Sequence, residues 1–468
     1  MLRVTNTLTR SVEPVSPLEP GRVKMYSCGP TVYRPLHIGN LRTFILADVV
    51  RRVLAYHGLD VTAVMNLTDV GHMTDELTGQ GRDRMMLAAA DEDLTTAEIA
   101  EKYTQLFFDH SAACNIIAFD HYPKATDHIE QMIELNAKLI ERGHAYEAEG
   151  NVYYDVTTFP DYGRLSGQSL EDMQAGHRHD HVDPVKRHHQ DFLLWRSAGD
   201  RRELVFDSPW GTGYPGWHIE CSAMSMHLLG DRFDIHTGGV DNVFPHHEDE
   251  IAQSEGAVGH RVVSTWIHGD HLLLGRAKMA KSAGNVVTID TVVQAGHDPI
   301  AFRYLCFTAR YRRQVHFADE ALDAASTALR RLRERVATLG TGEAGPATDA
   351  AARTGLAPPA LAYHERFMDA VDDDLDLPEA LTVLHAMLGD DGVSAADRRR
   401  LALSWDHILG LRLAGDETLE AGLTALIDER EQARSAKDFA KADALRERLR
   451  EAGVELIDTP DGVRWVRR

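Results

Sequence analysis

Cysteine is scarce in this chain, with four residues in 468: Cys28, Cys114, Cys221 and Cys306. They stand too far apart for the disulfide framework of a small secreted protein, which leaves metal binding or burial as their use. Long apolar runs are missing too. No stretch approaches the roughly 18 residues that span a bilayer, and MLRVTNTLTRSVEPVSPLEPGR has no signal-peptide apolar region. Both absences point to a cytosolic protein without a membrane partner. Positive charge is short as well: 50 Lys and Arg against 72 Asp and Glu give a formal charge of −22. The overall field would repel nucleic acid, so any RNA partner must use local basic patches. Candidates are Arg330, Arg331, Arg333 and Arg335, then Arg398 to Arg400, and Arg464, Arg467 and Arg468 beside Trp465. Taken singly, each patch also reads as a solvated helix face.

What is present is a 43% hydrophobic share, enough to fill the cores of two to four domains. VKMYSC at 23–28 reads as a strand, 38–57 as a helix, and VTAVMNL at 61–67 as a second strand. Strand, loop, helix, strand is the pattern of a parallel α/β unit. From about 85 to 145 the pattern turns helical, and NVYYDVTTF at 151–159 reads as a strand of an inserted region. Glycine-rich strand material returns at 204–240, and STWIHGDHLLLG at 264–275 reads as another core strand. Beyond 318 the chain is helical, broken by an Ala, Gly, Thr and Pro-rich linker at 339–360. The end reads as two charged helices and a small hairpin. The expected fold is a Rossmann-like parallel sheet split by an insertion, followed by a helical bundle and a small C-terminal α/β segment. The expected boundaries are 20–85 and 204–317 for the catalytic halves, 86–203 for the insertion, 318–425 for the bundle and 426–468 for the last segment.

Three stretches carry chemistry. FPHHEDE at 244–250 packs two imidazoles and three carboxylates into five positions, which suggests a transition metal and, at first sight, a zinc hydrolase. In a helix, His246 and Glu250 share a face and His247 points about 100° away. His37-Ile-Gly-Asn40 opens the predicted helix, where unpaired amides and the dipole favour phosphate and Gly39 permits close approach of a nucleotide. Alone, a four-residue motif is weak, and a histidine there is more often a cap or surface residue. Gly275-Arg-Ala-Lys278-Met-Ala-Lys281-Ser282 follows a predicted core strand, and two lysines three apart in a loop suit a clamp on a leaving pyrophosphate.

HIGN and KMAKS, in this order, resemble the two signatures of class I aminoacyl-tRNA synthetases, His-Ile-Gly-His and Lys-Met-Ser-Lys-Ser. YSCGPTVY, NLTDV, SPWGTGYPGWHIECSAMS, FDIHTGGVDNVFPHHEDEIAQSEG and FMDAVDDDLDLPEAL are similar to the cysteine-tRNA ligase family. The resemblance runs from about residue 20 to the end. It implies ATP-dependent activation of L-cysteine and its transfer to tRNA-Cys, with one Zn2+ per chain on Cys28, Cys221, His246 and Glu250, and Mg2+ accompanying ATP. It implies that Thr68, Trp217, His236 and Asp241 meet the substrate, that His37, Asn40, Lys278 and Lys281 act in catalysis, and that Gly39, Lys281 and Ser282 contact ATP. A monomer is expected. Zinc favours a thiolate over a hydroxyl, so the metal would sort cysteine from serine where an apolar pocket separates near-isosteres by only about 10- to 200-fold.

The chain departs from that pattern at Asn40, at Ala280, and at Gly71-His72-Met73, where the family continues Asp-Asp-Lys. Three rival readings stand beside the first. A cysteine ligase of mycothiol synthesis, acting on an amino sugar, shares the catalytic core but lacks a full anticodon-binding tail. A catalytically idle zinc protein that binds tRNA or cysteine would not need two lysines and His37. A metallohydrolase would leave both nucleotide motifs unexplained.

Overall fold

The computed structural model describes the chain apart from residues 76–79, 171–184, 200–203, 275–276, 279–285, 341–344, 415–420, 437, 453, 460–461 and 468. Its centre is built from apolar strands, as a parallel sheet covered on both faces requires. Strand β1 (Arg22–Ser27) buries Val23, Met25 and Tyr26. It leads through helix α1 (Ile38–Tyr56) to strand β2 (Asp60–Met65), whose Ala63, Val64 and Met65 are buried. Far downstream, helix α2 (Trp217–Leu229) precedes strand β3 (Phe233–Gly239), and helix α3 (Glu248–Val258) precedes strand β4 (Val263–Gly269). The four strands lie in the order β4-β3-β1-β2, all parallel. Met25 pairs with Ala63 on one side and with Ile235 on the other. The chain therefore leaves β1 in both directions, and the crevice between the C-terminal ends of β1 and β3 is a topological switch point.

Between the halves sits an antiparallel sheet of Ala145–Ala148, Asn151–Tyr154, Phe192–Ser197 and Gly213–Pro215. The strand expected over 151–159 stops at Tyr154, because the Asp155 side chain accepts from Thr157 N and starts a 3₁₀ turn at Val156–Thr158. A feature the sequence reading missed follows β2: Met73–Asp75 and Gln80–Asp83 pair as an antiparallel hairpin.

The helical half comprises Asp319–Thr338, Pro358–Asp372, Leu377–Gly389 and Ala395–Leu409. The expected linker at 339–360 is partly helical: Thr348 caps Asp349–Arg353, whose Ala352 is fully buried. Arg333 stands on no solvated face. It is buried, paired with Asp298 at 2.6 Å and bonded to Leu411 O. Buried Asp48 of α1 meets Arg52 at 2.7 Å and Arg303 at 2.6 Å, and Tyr56 Oη meets Ser404 Oγ at 2.6 Å. The helix that starts at the His37 motif is thus fastened at its far end to the bundle. The chain closes with helices Ala421–Ser435 and Phe439–Glu451 and the hairpin Val454–Thr459 with Gly462–Arg467. Among the described residues, no helix is long and apolar enough to cross a membrane.

Candidate active site and metal centre

Cys28 directly follows β1, and its N–H donates to Thr237 O at 3.1 Å, which extends the β1–β3 ladder by one step and holds the thiol in the crevice. Cys221 is the fifth residue of α2. His246 and Glu250 arrive from the turn after β3 and from the start of α3. All four are buried. The sulfurs of Cys28 and Cys221 stand 4.0 Å apart, Cys28 Sγ lies 3.7 Å from Glu250 Oε1, and His246 Nε2 lies 3.1 Å from the same oxygen. Bonds of about 2.3 Å to sulfur and about 2.1 Å to nitrogen or oxygen set tetrahedral edges of about 3.8, 3.6 and 3.4 Å. These observed separations fit a single metal ion within a few tenths of an ångström. The donor set is also right in charge: two thiols and a carboxyl, buried together, need a dication to ionise side by side.

The electrostatics express the same need. Burial, with Cys221 and Glu250 adjacent, pushes the Cys28 thiol well above its ordinary value. A hydrogen bond from Cys28, set against burial, brings Cys221 down to about 7. Burial opposes ionisation of Glu250, yet His236 and His246 hold its carboxyl at about 2.

His247 is where the helical expectation fails. Its Nε2 lies 3.1 Å from Cys28 Sγ and 3.9 Å from Glu250 Oε1, so it faces the cluster instead of pointing away. Phe244 is extended (φ −141°, ψ 132°) and Val243–His247 is wound wider than an α-helix, so a 100° step per residue does not apply before Glu248. Cys28, His236, His247 and Glu250 form a second, overlapping group of metal-ligand types. His268 Nε2 holds His247 Nδ1 at 2.7 Å, and His218 Nδ1 meets His246 Nδ1 at 2.6 Å. Such outer contacts orient ligating imidazoles. The sequence signal for His218 was its place three residues before Cys221 on one helix; nothing in the sequence signalled His268.

Around the cluster, Trp217 starts α2 with its ring 5.1 Å from that of His246. His236 Nε2 lies 2.9 Å from Glu250 Oε2, its ring stacked on Trp266 at 4.5 Å. Buried Thr68 donates to Glu220 Oε2 at 2.9 Å. Asp241 differs in its surroundings: half exposed, it meets His271 Nε2 at 3.0 Å and lines, with Thr5, Thr7, Arg10 and Phe244, a cavity of about 770 Å³.

The nucleotide motif opens α1. His37 is the N-cap, and its Nδ1 accepts from Asn40 N at 3.1 Å, which puts the ring proton on Nε2 as a donor. Cap and phosphate donor are therefore compatible roles for one ring. Gly239, at the end of β3, stands near Thr43 of the same helix. Ala277–Lys278 pairs with Leu273–Leu274, while Ala280, Lys281 and Ser282 lie outside the described residues.

Residues 14–327 match the family described as tRNA synthetases class I (C) catalytic domain, and residues 416–465 match the cysteinyl-tRNA ligase anticodon binding domain. The cysteine–tRNA ligase of Treponema denticola is 39% identical over 489 residues, covering 99% of each chain. That of Thermus thermophilus is 41% identical over 488 residues, again covering 99% of each. The chain belongs to the cysteine–tRNA ligase family. A solved methionyl-tRNA synthetase of Mycobacterium tuberculosis, bound to methionyl-adenylate, superposes with a TM-score of 0.56 at 17% identity, over 84% of this chain and 90% of that one, and shares the fold. The catalytic match takes in the whole buried cluster, and the cysteinyl-tRNA ligase match takes in the last two helices and all but the last two residues of the hairpin.

Proposed function

We propose that the chain activates L-cysteine with ATP and transfers it to tRNA-Cys, and that the buried Cys28, Cys221, His246 and Glu250 would hold one zinc ion. The observation that carries this reading is a buried set of two thiols, one imidazole and one carboxyl within metal-ligand reach of one another, at the switch point of a parallel sheet, beside a helix that opens with His37-Ile-Gly-Asn40. When bound, zinc supplies a soft site for a thiolate that a serine hydroxyl fills poorly.

In the first step a carboxylate oxygen of cysteine attacks the α-phosphorus of ATP, the bond to pyrophosphate breaks, and cysteinyl-adenylate forms. Little covalent work falls to side chains, so orientation and charge dominate. His37 Nε2–H and Asn40 serve the phosphates at the positive end of α1, where Gly39 lets the nucleotide approach. Lys278, Lys281 and Ser282 serve the departing pyrophosphate, with Mg2+ carried in by ATP. Thr68, Trp217, His236 and Asp241 orient the amino acid. In the second step a terminal ribose hydroxyl of tRNA-Cys takes the cysteinyl group and AMP leaves. The last helices and hairpin, with Trp465 for stacking and the terminal arginines for phosphate, grip unpaired nucleotides. The match of residues 416–465 favours this over an amino-sugar acceptor.

The test is cysteine-dependent exchange of pyrophosphate into ATP, followed by charging of tRNA-Cys with serine as competitor, on a chain that works as a monomer with one zinc. Exchange and cysteinyl-tRNA without seryl-tRNA are expected. Exchange without charging would point to the amino-sugar ligase, and neither reaction to an idle binder.

A further inference from the structure

Gly71-His72-Met73 opens the hairpin, and the hairpin has a built base. Met73 pairs with Asp83, and Arg84 N donates to His72 O at 3.0 Å. A side chain at position 71 would place its Cβ 2.0 Å from Asp83 Oδ1, the oxygen that accepts from Met85 N at 2.8 Å. Glycine at 71 and aspartate at 83 therefore close the excursion on residue 72, which is buried. His72 Nε2 lies 2.8 Å from Oε1 of Glu220, a carboxylate buried in α2 next to Cys221, as an ion-pair contact whose angle falls outside hydrogen-bond geometry. The other Glu220 oxygen accepts from Thr68 Oγ1. Thr68 Oγ1 in turn accepts from Asn66 Nδ2 at 3.1 Å, and Asn66 Oδ1 accepts from Gly29 N, the neighbour of Cys28, at 2.8 Å. The His72 ring also lies 5.7 Å from the Trp217 ring, tilted by 33°. One imidazole thus reaches Thr68 through Glu220 and touches Trp217 directly.

We propose that His72, held at the base of the hairpin by Gly71 and Asp83, is a positioning residue for the amino acid: it sets Thr68 through Glu220 and Trp217 by ring contact, and so fixes two walls of the cysteine pocket with one side chain. This rests on the reading that Thr68 and Trp217 orient cysteine. His72 touches no reacting atom. Its effect falls on how cysteine is held, and ATP, at the far side of the crevice by α1, is indifferent to it.

The experiment compares full-length, zinc-loaded wild type with His72→Ala and His72→Gln in pyrophosphate exchange, with cysteine binding measured by calorimetry in parallel. A lost contact to a buried charged group corresponds to a change on the order of 10-fold or more. His72→Ala is therefore expected to raise the KM and Kd for cysteine by at least about 10-fold, with the KM for ATP and the zinc content unchanged. His72→Gln, which keeps a polar N–H beside Glu220 without the imidazole's charge or ring, is expected to recover part of the loss, and it carries the test if the alanine variant does not fold. A cysteine KM unchanged in His72→Ala overturns the proposal. So does a joint loss of cysteine affinity, ATP affinity and zinc, the result of general loosening. If wild type binds no cysteine at all, the cysteine-activating reading fails too, a result distinct from an active wild type that tolerates His72→Ala.

Discussion

The cluster at the ends of β1 and β3 and the last 50 residues use polar side chains in opposite ways. In the cluster, Cys28, Cys221, His236, His246, His247 and Glu250 are all buried, gathered from four separated stretches and held by strands and helices of large apolar cores. In the tail, among the described residues, the buried apolar cluster is small, built on Ile427, Leu449, Val454 and Leu456, and charged residues cover the helices around it. Burial makes charge and ligand identity decisive, because an unmatched thiolate or carboxylate in low dielectric is costly. Exposure makes charge additive and screened, which suits reading a polyanion on a chain whose net field is negative. Selectivity for the amino acid and for the nucleic acid are thus supported by different physics in different places.

The sharpest way to break this comparison is to remove one buried donor. Cys221→Ser should lower the zinc content and cysteine-dependent exchange together by at least about 100-fold, since even outer contacts of a metal site are worth 10- to 100-fold. Metal analysis and exchange rates read both. Exchange that survives loss of the metal would show that the cluster is only architectural. A smaller and different effect is expected from the tail. Deleting residues 421–468 should leave exchange within about twofold and cut charging of tRNA-Cys by about 10- to 100-fold, as loss of one stacked base at about 1–3 kcal/mol implies. The residual charging should also depend less steeply on salt. If exchange fell as far as charging, the tail would be part of the catalytic fold and the contrast would be lost.

How much of this was legible in the sequence follows the same division. Cys28, Cys221, His246 and Glu250 could be named because motifs fix residue type and spacing, and they meet within 4 Å of a neighbouring ligand in space. The α/β unit was readable because two short strand-like stretches rich in Val, Met and Tyr flank one long helical stretch. His247 faces the cluster because Val243–His247 is wound wider than an α-helix, so the 100° step expected between His246 and His247 does not hold. Arg333 was placed on a basic surface because sequence shows its charge and not Asp298, 35 residues away, which pairs with it. The pairing of Met73–Asp75 with Gln80–Asp83 was missed because nothing local in the sequence marks it, and its fit turns on the absence of a side chain at Gly71 against Asp83, a tertiary feature. Local chemistry was visible, and contacts between distant segments were not.

Between those extremes lies the seam at Asp372, partly buried, where the bundle meets both the start of the chain and the end of α1. Its carboxylate accepts from the Met1 ammonium at 2.7 Å and lies 2.6 Å from His57 Nε2. Burial raises its pKa, but His57 and the chain terminus outweigh that, so the folded value sits below the ordinary carboxylate range. The sign follows. The unfolded chain takes up this proton first as pH falls, so Asp372 stabilises the fold above about pH 4, and that contribution disappears as pH drops through the folded value. Asp372→Asn should therefore lower the Tm at pH 7 by about 2 °C, for roughly 1 kcal/mol in a partly exposed pair. The gap to wild type should close in melts taken at successively lower pH towards 3. A gap that stays constant on acidification would mean that Asp372 acts through shape and not charge, and the seam would then belong with the packed cores instead of between the buried cluster and the exposed tail.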